Sequence, residues 1–174
     1  MTPGLRPGVR VGVDVGSVRV GIAASDASAG VVLPVVTLPR GPATVATVVD
    51  LARERSAVEV VVGLPVGLSG REGPAAASVR EFAVALAAAV APVPVRLVDE
   101  RFSTTAAVGE LQPERGRPGR KPRGRRGSVH IDSRALRGVV DQQAAVIILR
   151  TALAAESGTG APPGSVVEVA GPGD

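Results

Sequence analysis

Three acidic positions in this sequence each interrupt or end an otherwise apolar segment. They are Asp14, the Asp99-Glu100 pair and Asp141. A carboxylate in apolar surroundings is costly to bury unless it is ion-paired, hydrogen-bonded or bound to a metal. If carboxylates from three distant segments converged, they would repel one another unless a hard divalent cation, Mg²⁺ or Mn²⁺, lay between them. Two such ions could activate water and stabilise the leaving oxygen in phosphodiester hydrolysis.

Each acid also has a simpler interpretation. Asp14 could cap the turn that follows it, and Asp141 could interact only with a helix dipole, which contributes less than about 1 kcal/mol. Asp99 and Glu100 could form a solvated strand end with Arg101. The case for a catalytic site therefore depends on whether the surrounding elements bring the acids together.

The segment that carries Asp14 predicts a β-hairpin. Residues 9–15 and 18–23 alternate valine or isoleucine with polar or small residues on either side of a Gly-Ser turn. Residues 30–38 form a third apolar run, in which Pro34 indicates a sheet edge or a bulge. Later strands are expected at 57–62 and 93–98, and helices at 43–56, 75–90, 103–111 and 139–155.

This element order predicts an α/β fold. A three-strand antiparallel meander and two parallel strands would form a five-stranded mixed sheet flanked by helices. The carboxyl ends of the first, fourth and fifth strands would then lie together, where ligands bind in open α/β sheets. Asp141, Ala144, Ala145 and Ile148 share the i, i+3, i+4, i+7 face, so Asp141 would face the sheet.

The length of 174 residues predicts one domain, at 9–155, with a flexible tail at 1–8 and a disordered Gly/Pro/Ser tail at 156–174. A flexible basic loop is expected at 112–133, where seven basic residues alternate with glycine and proline. The loop is either a solvated segment or a clamp for nucleic-acid phosphates.

Composition excludes several kinds of site. The chain has no cysteine, so it has neither disulfides nor thiolate ligands, and the single histidine, His130, excludes a multi-histidine zinc site. A net charge of +4 is weak evidence for nucleic-acid binding by itself. The sequence contains neither an apolar run of transmembrane length nor an apolar leader, so we expect a cytoplasmic protein without a membrane partner.

Four segments resemble, in order, the motifs of the YqgF family, also called RuvX, which comprises pre-16S rRNA nucleases and Holliday-junction resolvase-like proteins. They are VGVDVGSVRVGIAASD, VVVGLPVGLSGREG, VRLVDERFSTTAA and VVDQQAAVIIL, within residues 9–155. The resemblance implies an RNase H-like fold, with Asp14 and Asp141 as the first and last catalytic, metal-binding acids. Because adjacent strand residues face opposite sides, only one middle acid points inward; Glu100 is preferred and Asp99 is the fallback.

The resemblance also implies nucleic-acid contacts. Arg101, Ser103 and Thr104 match a family segment that could position a phosphate, and Arg19 either faces the same site or covers the sheet. The loop before the last helix is longer and more basic than is usual in the family. The basic residues that we expect to contact nucleic acid there are Arg120, Lys121, Arg123, Arg125 and Arg126.

The resemblance implies a two-metal-ion endonuclease that uses Mg²⁺ or Mn²⁺. The preferred function is 5′-end processing of pre-16S rRNA in ribosome biogenesis; the alternatives are a Holliday-junction resolvase acting on branched DNA and a non-catalytic nucleic-acid-binding module. An actin-like ATPase, suggested by residues 14–17, needs two lobes and is disfavoured. The protein would be a monomer or a homodimer, and an apolar sheet edge at 31–36 is one candidate interface.

Overall fold

The computed structural model describes residues 4–67, 70–100 and 133–169, with side chains from residue 141 onward in the last range. Over these ranges the chain forms six strands and three helices. In chain order they are β1 (Arg10–Val15), β2 (Arg19–Ser25), β3 (Val32–Pro39), α1 (Thr44–Glu54), β4 (Glu59–Leu64), α2 (Pro74–Val90), β5 (Val95–Asp99), α3 (Ser133–Thr159) and β6 (Ser165–Val166).

The strands form one mixed sheet in the order β3-β2-β1-β4-β5-β6. β1 is antiparallel to β2 and parallel to β4, which is in turn parallel to β5. This arrangement confirms the predicted antiparallel meander with two added parallel strands. It also brings the carboxyl ends of β1, β4 and β5 to the same edge of the sheet, as predicted for the site.

β3 is an edge strand with an irregular register. Ile22 of β2 pairs with Val36, but the next residue, Ala23, pairs with Pro34, so Val35 is an extra residue in β3. Proline has no N–H to donate to a ladder, which is why it is found at edges and bulges. Both parts of the expectation for Pro34 are therefore confirmed, and Leu33 is exposed along this edge.

The sheet separates two apolar cores because alternate residues of each strand point to opposite faces. On one face, Val11, Val13 and Val15 of β1 pack in a cluster with α1 and α2. On the other face, Val61 of β4 packs in a second cluster with α3. The residues of β1 that alternate with its valines, Asp14 among them, therefore face α3.

The ends of the chain differ from the sequence expectation. α3 continues to Thr159 instead of ending at 155, and β6 lies within the segment expected to be a disordered tail at 156–174. Within the expected tail at 1–8, the Arg6 guanidinium hydrogen-bonds Glu59 and Glu156. Ion pairs with Glu59 and Glu156 hold Arg6 of the N-terminal segment, whereas antiparallel pairing with β5 holds β6. Local composition reveals neither contact.

Two expectations lie wholly or largely outside the described residues: the short helix at 103–111 and the basic loop at 112–133, of which only the last residue is described, as the start of α3. Within the described ranges, no helix is long and apolar enough to cross a membrane.

Candidate active site

Asp14 is held near the carboxyl end of β1, opposite Gly21 of β2. Its position between Val13 and Val15 turns the carboxylate away from the valine core and toward α3. Burial, together with the negative charge of Asp141, raises the pKa of Asp14 from its ordinary value of 3.8 to about 6. The carboxylate therefore lies in an environment that disfavours its charged form.

Glu100 immediately follows β5, and its backbone N–H donates to the Leu64 carbonyl at the end of β4 over 3.1 Å. Its side chain lies over Gly63, because a Cβ atom built on that glycine would be 2.7 Å from Oε1 of Glu100. The same Cβ would touch Ile148, so the carboxylate is on the face of the sheet that α3 covers. Burial and the negative charges of Asp14 and Asp99 raise the pKa of Glu100.

Asp99 lies close to the same place. It contributes with Val98 and Glu100 to a small hollow bounded by Ile148 and Thr151 of α3. The position of Glu100 over Gly63 favours it as the middle acid, and the choice between the two residues stays a prediction.

Asp141 reaches the site because α3 packs against a part of the sheet that lacks side chains. A Cβ atom on Gly21 would overlap the carbonyl oxygen of Asp141, and one on Gly12 would lie 3.0 Å from the carbonyl oxygen of Ala145. Neither Gly21 nor Gly12 therefore has room for a side chain. The glycines of β1 and β2 therefore set how closely the helix brings Asp141 to Asp14.

Arg19 starts β2 and lies on the same face of the sheet as Gly21. Its Nη1 is 3.8 Å from Oδ2 of Asp141, and the two side chains are 25% and 30% exposed. The sequence left open whether Arg19 faces the site or covers the sheet. The structure places its guanidinium beside one of the three acids.

Arg40 is a site-supporting residue that the sequence did not reveal. Its Nη1 donates to the carbonyl of Gly16 over 3.0 Å, and its Nη2 donates to Oγ of Ser78 in α2 over 2.8 Å. These bonds tie the turn after Asp14 to a helix on the opposite face. No spacing distinguishes Arg40 from the many other arginines, so only the contacts identify it.

The donor chemistry of the three acids fits a hard divalent cation, which binds oxygen ligands. Besides burial, the negative charge of Asp141 raises the pKa of Asp14, and the negative charge of Asp14 raises the pKa of Glu100. A cation between these carboxylates would relieve the repulsion in both pairs. Within the described ranges, however, no three acidic, histidine or cysteine side chains are close enough together to hold one ion. In this conformation the acids are near one another, but the described side chains do not form a complete set of ligands for one ion.

The remaining predicted contact residues lie in the range 101–132, outside the described residues. They are Arg101, Ser103, Thr104, Arg120, Lys121, Arg123, Arg125 and Arg126, and their roles stay predictions.

Comparisons with known proteins place this chain in a family. A family model described as "RuvX: Holliday junction resolvase" matches residues 8–155. Relatives named "Putative pre-16S rRNA nuclease" are 52% identical in Nocardioides sp. and 48% identical in Thermobifida fusca. The match to the Nocardioides relative covers 94% of this chain and 99% of the relative. The match to the Thermobifida fusca relative covers 94% of this chain and 98% of the relative.

The fold is also similar to solved structures. Thermus thermophilus RuvC in complex with a Holliday junction substrate matches with a TM-score of 0.55 at 15% identity, over 90% of this chain and 99% of that chain. A second Thermus thermophilus RuvC structure matches with a TM-score of 0.54 at 17% identity, over 89% and 99% of the two chains. At these identities the likeness concerns the fold alone, and it confirms the predicted RNase H-like architecture.

Proposed function

The chain belongs to the RuvX family, and from that premise we propose that it is a metal-dependent nuclease that hydrolyses phosphodiester bonds in the 5′ leader of pre-16S rRNA. The names of the relatives support the choice of substrate. A cytoplasmic location and a single nuclease domain are part of this proposal.

The observation that carries the proposal is the approach of acidic groups from β1, from the residue after β5 and from α3 on one face of the sheet. Asp14 and Glu100 both have raised pKa values because burial and neighbouring negative charges disfavour their ionised forms. Holding like charges together costs free energy, and a bound cation would offset that cost. Shifted pKa values of neighbouring acids are typical of functional sites.

In the proposed mechanism Asp14, Glu100 and Asp141 would hold Mg²⁺ or Mn²⁺. When bound, the metal would supply a nucleophilic water and neutralise charge on the phosphate. β1 is hydrogen-bonded on both sides, so Asp14 would stay in place while a long, charged substrate binds. Arg19 would contact a phosphate beside Asp141, and Arg101, Ser103 and Thr104 would position the nucleic-acid backbone with the basic loop.

A second candidate is cleavage of branched DNA, which the description of the matching family model favours. Both candidates use the same reaction at phosphodiester bonds, so the described residues do not separate RNA from DNA. Symmetric cutting of a four-way junction would call for a homodimer, whereas leader processing could use a monomer.

The test compares cleavage of two labelled substrates, a 16S precursor leader and a four-way DNA junction, with Mn²⁺, with Mg²⁺ and with EDTA. We expect metal-dependent cleavage of the leader, and a loss of about 10²–10³-fold in Asp14→Asn, because removal of a group that stabilises charge in a transition state costs about that much. Asp50→Asn is the matched control, since Asp50 is exposed on α1, away from the site.

The outcomes separate the hypotheses. Cleavage of the junction alone would favour the resolvase. Full activity in Asp14→Asn would contradict the assigned catalytic site. Tight binding of either substrate without any cutting would favour a non-catalytic binding module. Comparison of Glu100→Gln with Asp99→Asn would identify the middle acid, and we expect the larger loss in Glu100→Gln.

A further inference from the structure

The ion pair between Arg19 and Asp141 is loose. Nη1 and Oδ2 are 3.8 Å apart, beyond hydrogen-bond distance, and both side chains are partly exposed. Arg–carboxylate pairs frequently make two short parallel hydrogen bonds. Within the described ranges, the guanidinium is in contact with the Asp141 carboxylate without a short hydrogen bond to it, so its planar donors can turn to another anion.

The backbone that carries Arg19 is nevertheless well fixed. Gly16 donates its N–H to the Arg19 carbonyl over 2.8 Å, and Arg19 pairs with Pro39 in β3. The Gly16 carbonyl accepts a hydrogen bond from Arg40 over 3.0 Å, which anchors the turn. A fixed backbone with a long, partly exposed side chain lets the guanidinium move between two partners while the hairpin stays in place.

The Arg19 guanidinium lies beside the position where a cation would be held. Asp141 and Asp14 lie close enough for the charge of one to act on the other, so an ion held between them would meet the positive charge of Arg19. A divalent cation and a guanidinium beside the same carboxylate repel each other. Substrate phosphates that approach such a cation would arrive next to Arg19, whose flat fork of donors suits phosphate oxygens.

We propose that Arg19 competes with the divalent cation for Asp141: its guanidinium neutralises this carboxylate in the ion-free protein and turns to a substrate phosphate when the cation binds. Arg19 is then a positioning residue before cation binding and a substrate contact afterwards. This inference rests on the proposed nuclease function. A residue that only covers the sheet would have no such effect on cation affinity.

The competition predicts effects of opposite sign in one variant. Arg19→Gln should bind Mn²⁺ about two- to fivefold more tightly, since a partly exposed ion pair contributes only a modest free energy. The same variant should cleave nucleic acid about 10–100-fold more slowly, because its neutral amide lacks the positive charge and the forked donors that a phosphate binds. A substitution that merely disturbed the fold would weaken both properties.

The experiment measures Mn²⁺ affinity by calorimetry or electron paramagnetic resonance on the full chain without nucleic acid, alongside cleavage of the labelled leader. Arg55→Gln is the matched control for the loss of one positive charge, because Arg55 is exposed just after α1. Arg19→Lys retains the charge and should keep near-native Mn²⁺ affinity with partial cleavage. Circular dichroism melting checks that each variant is folded.

The outcomes distinguish this inference from the function on which it rests. If the wild-type chain binds no Mn²⁺ and cuts nothing, the proposed function and the inference both fail. If the wild type binds and cuts but Mn²⁺ affinity is unchanged or weaker in folded Arg19→Gln, only the inference is overturned. If Arg19→Gln does not fold, Mn²⁺ binding by Arg19→Lys at wild-type strength with weaker cleavage supports the inference, and equal loss of both overturns it.

Discussion

At the scale of single residues, Asp14 shows how function and stability conflict in this protein. Its carboxylate is half-buried on a strand with Asp141 nearby, and its pKa of about 6 records the cost of ionising it there. A group whose pKa is raised in the folded state destabilises the fold wherever it is ionised. The ion-free protein is thus less stable than its packing alone would allow.

Asp14→Asn should therefore stabilise the ion-free protein. In EDTA at pH 7.5, we expect a gain of about 1–2 kcal/mol in the free energy of unfolding, allowing for solvent screening of this half-buried group. Because the folded pKa is about 6 and the ordinary value is 3.8, the gain should be complete above pH 6, smaller at pH 5 and absent below pH 3.8.

Urea titrations of the wild type and the variant at several pH values measure this gain, with Asp50→Asn as the control that should show none. Mn²⁺ should reverse the order at pH 7.5 by stabilising the wild type preferentially, since it binds only the folded site. A variant less stable than the wild type in EDTA at pH 7.5 would contradict the electrostatic interpretation of Asp14.

At the scale of elements, the distance between α3 and the sheet decides where Asp141 lies. Gly21 lies against the carbonyl of Asp141, and Gly12 lies against Leu149 and Ala145 one to two turns further along. Close-packed interiors do not absorb added atoms without a shift. A side chain on these strands would therefore move the helix and its acid together.

Gly21→Ala should lower the free energy of unfolding by about 1–3 kcal/mol, the usual cost of overpacking, and should also weaken Mn²⁺ binding. Gly158→Ala is the matched control: Gly158 is exposed on α3 and a Cβ there meets nothing within 4 Å. We expect that control to be neutral or stabilising by up to about 1 kcal/mol. Denaturation and Mn²⁺ titration measure both effects, and a Gly21→Ala variant with native Mn²⁺ affinity would show that the spacing is not critical.

At the scale of the whole molecule, a buried charge network joins the other end of the sheet to the end of α3. Arg10, fully buried at the start of β1, pairs with Glu156 over 3.1 Å, and Arg6 bridges Glu156 to Glu59. Arg96 pairs with Glu59 over 2.8 Å. The network holds β1, β4, β5, α3 and the N-terminal segment together, which fixes the helix at the end opposite Asp141.

Glu156→Gln should cost about 3–5 kcal/mol of unfolding free energy, because it leaves the buried Arg10 without its carboxylate. Burial alone would raise the pKa of Glu156, but hydrogen bonds from Arg6 and the charge of Arg10 outweigh it and hold the pKa below the ordinary 4.5. The contribution of the ionised group is therefore present above pH 4.5 and is lost as the pH falls through the lower folded value.

Chemical denaturation between pH 3 and 7 tests this contribution. The control is Glu72→Gln, because Glu72 forms an exposed pair with Arg80, and such pairs contribute at most about 1 kcal/mol. Equal losses in the two variants would show that the buried network adds nothing beyond a surface ion pair.

Local patterns in the sequence determined the strands, the meander, the mixed sheet and the family. Period-2 valines specify strand faces, and the i, i+3, i+4 spacing around Asp141 specifies a helix face, since both depend only on near neighbours. The irregularity at Pro34 was predictable for the same reason, because the missing N–H is a property of the residue itself.

Contacts between distant segments were decided only by the tertiary structure. Glu156 looked like part of a polar tail until the fold placed it against Arg10, and the Gly/Pro composition around β6 did not reveal its pairing with β5. Arg40 had the same local signal as most other arginines, yet it holds the turn after Asp14. The sequence singled out Arg19 but left its orientation open, and the fold places it beside Asp141. These hydrogen bonds and ion pairs join residues that are 24 to 146 positions apart in the sequence. They depend on the whole fold, so no short segment of the sequence reveals them.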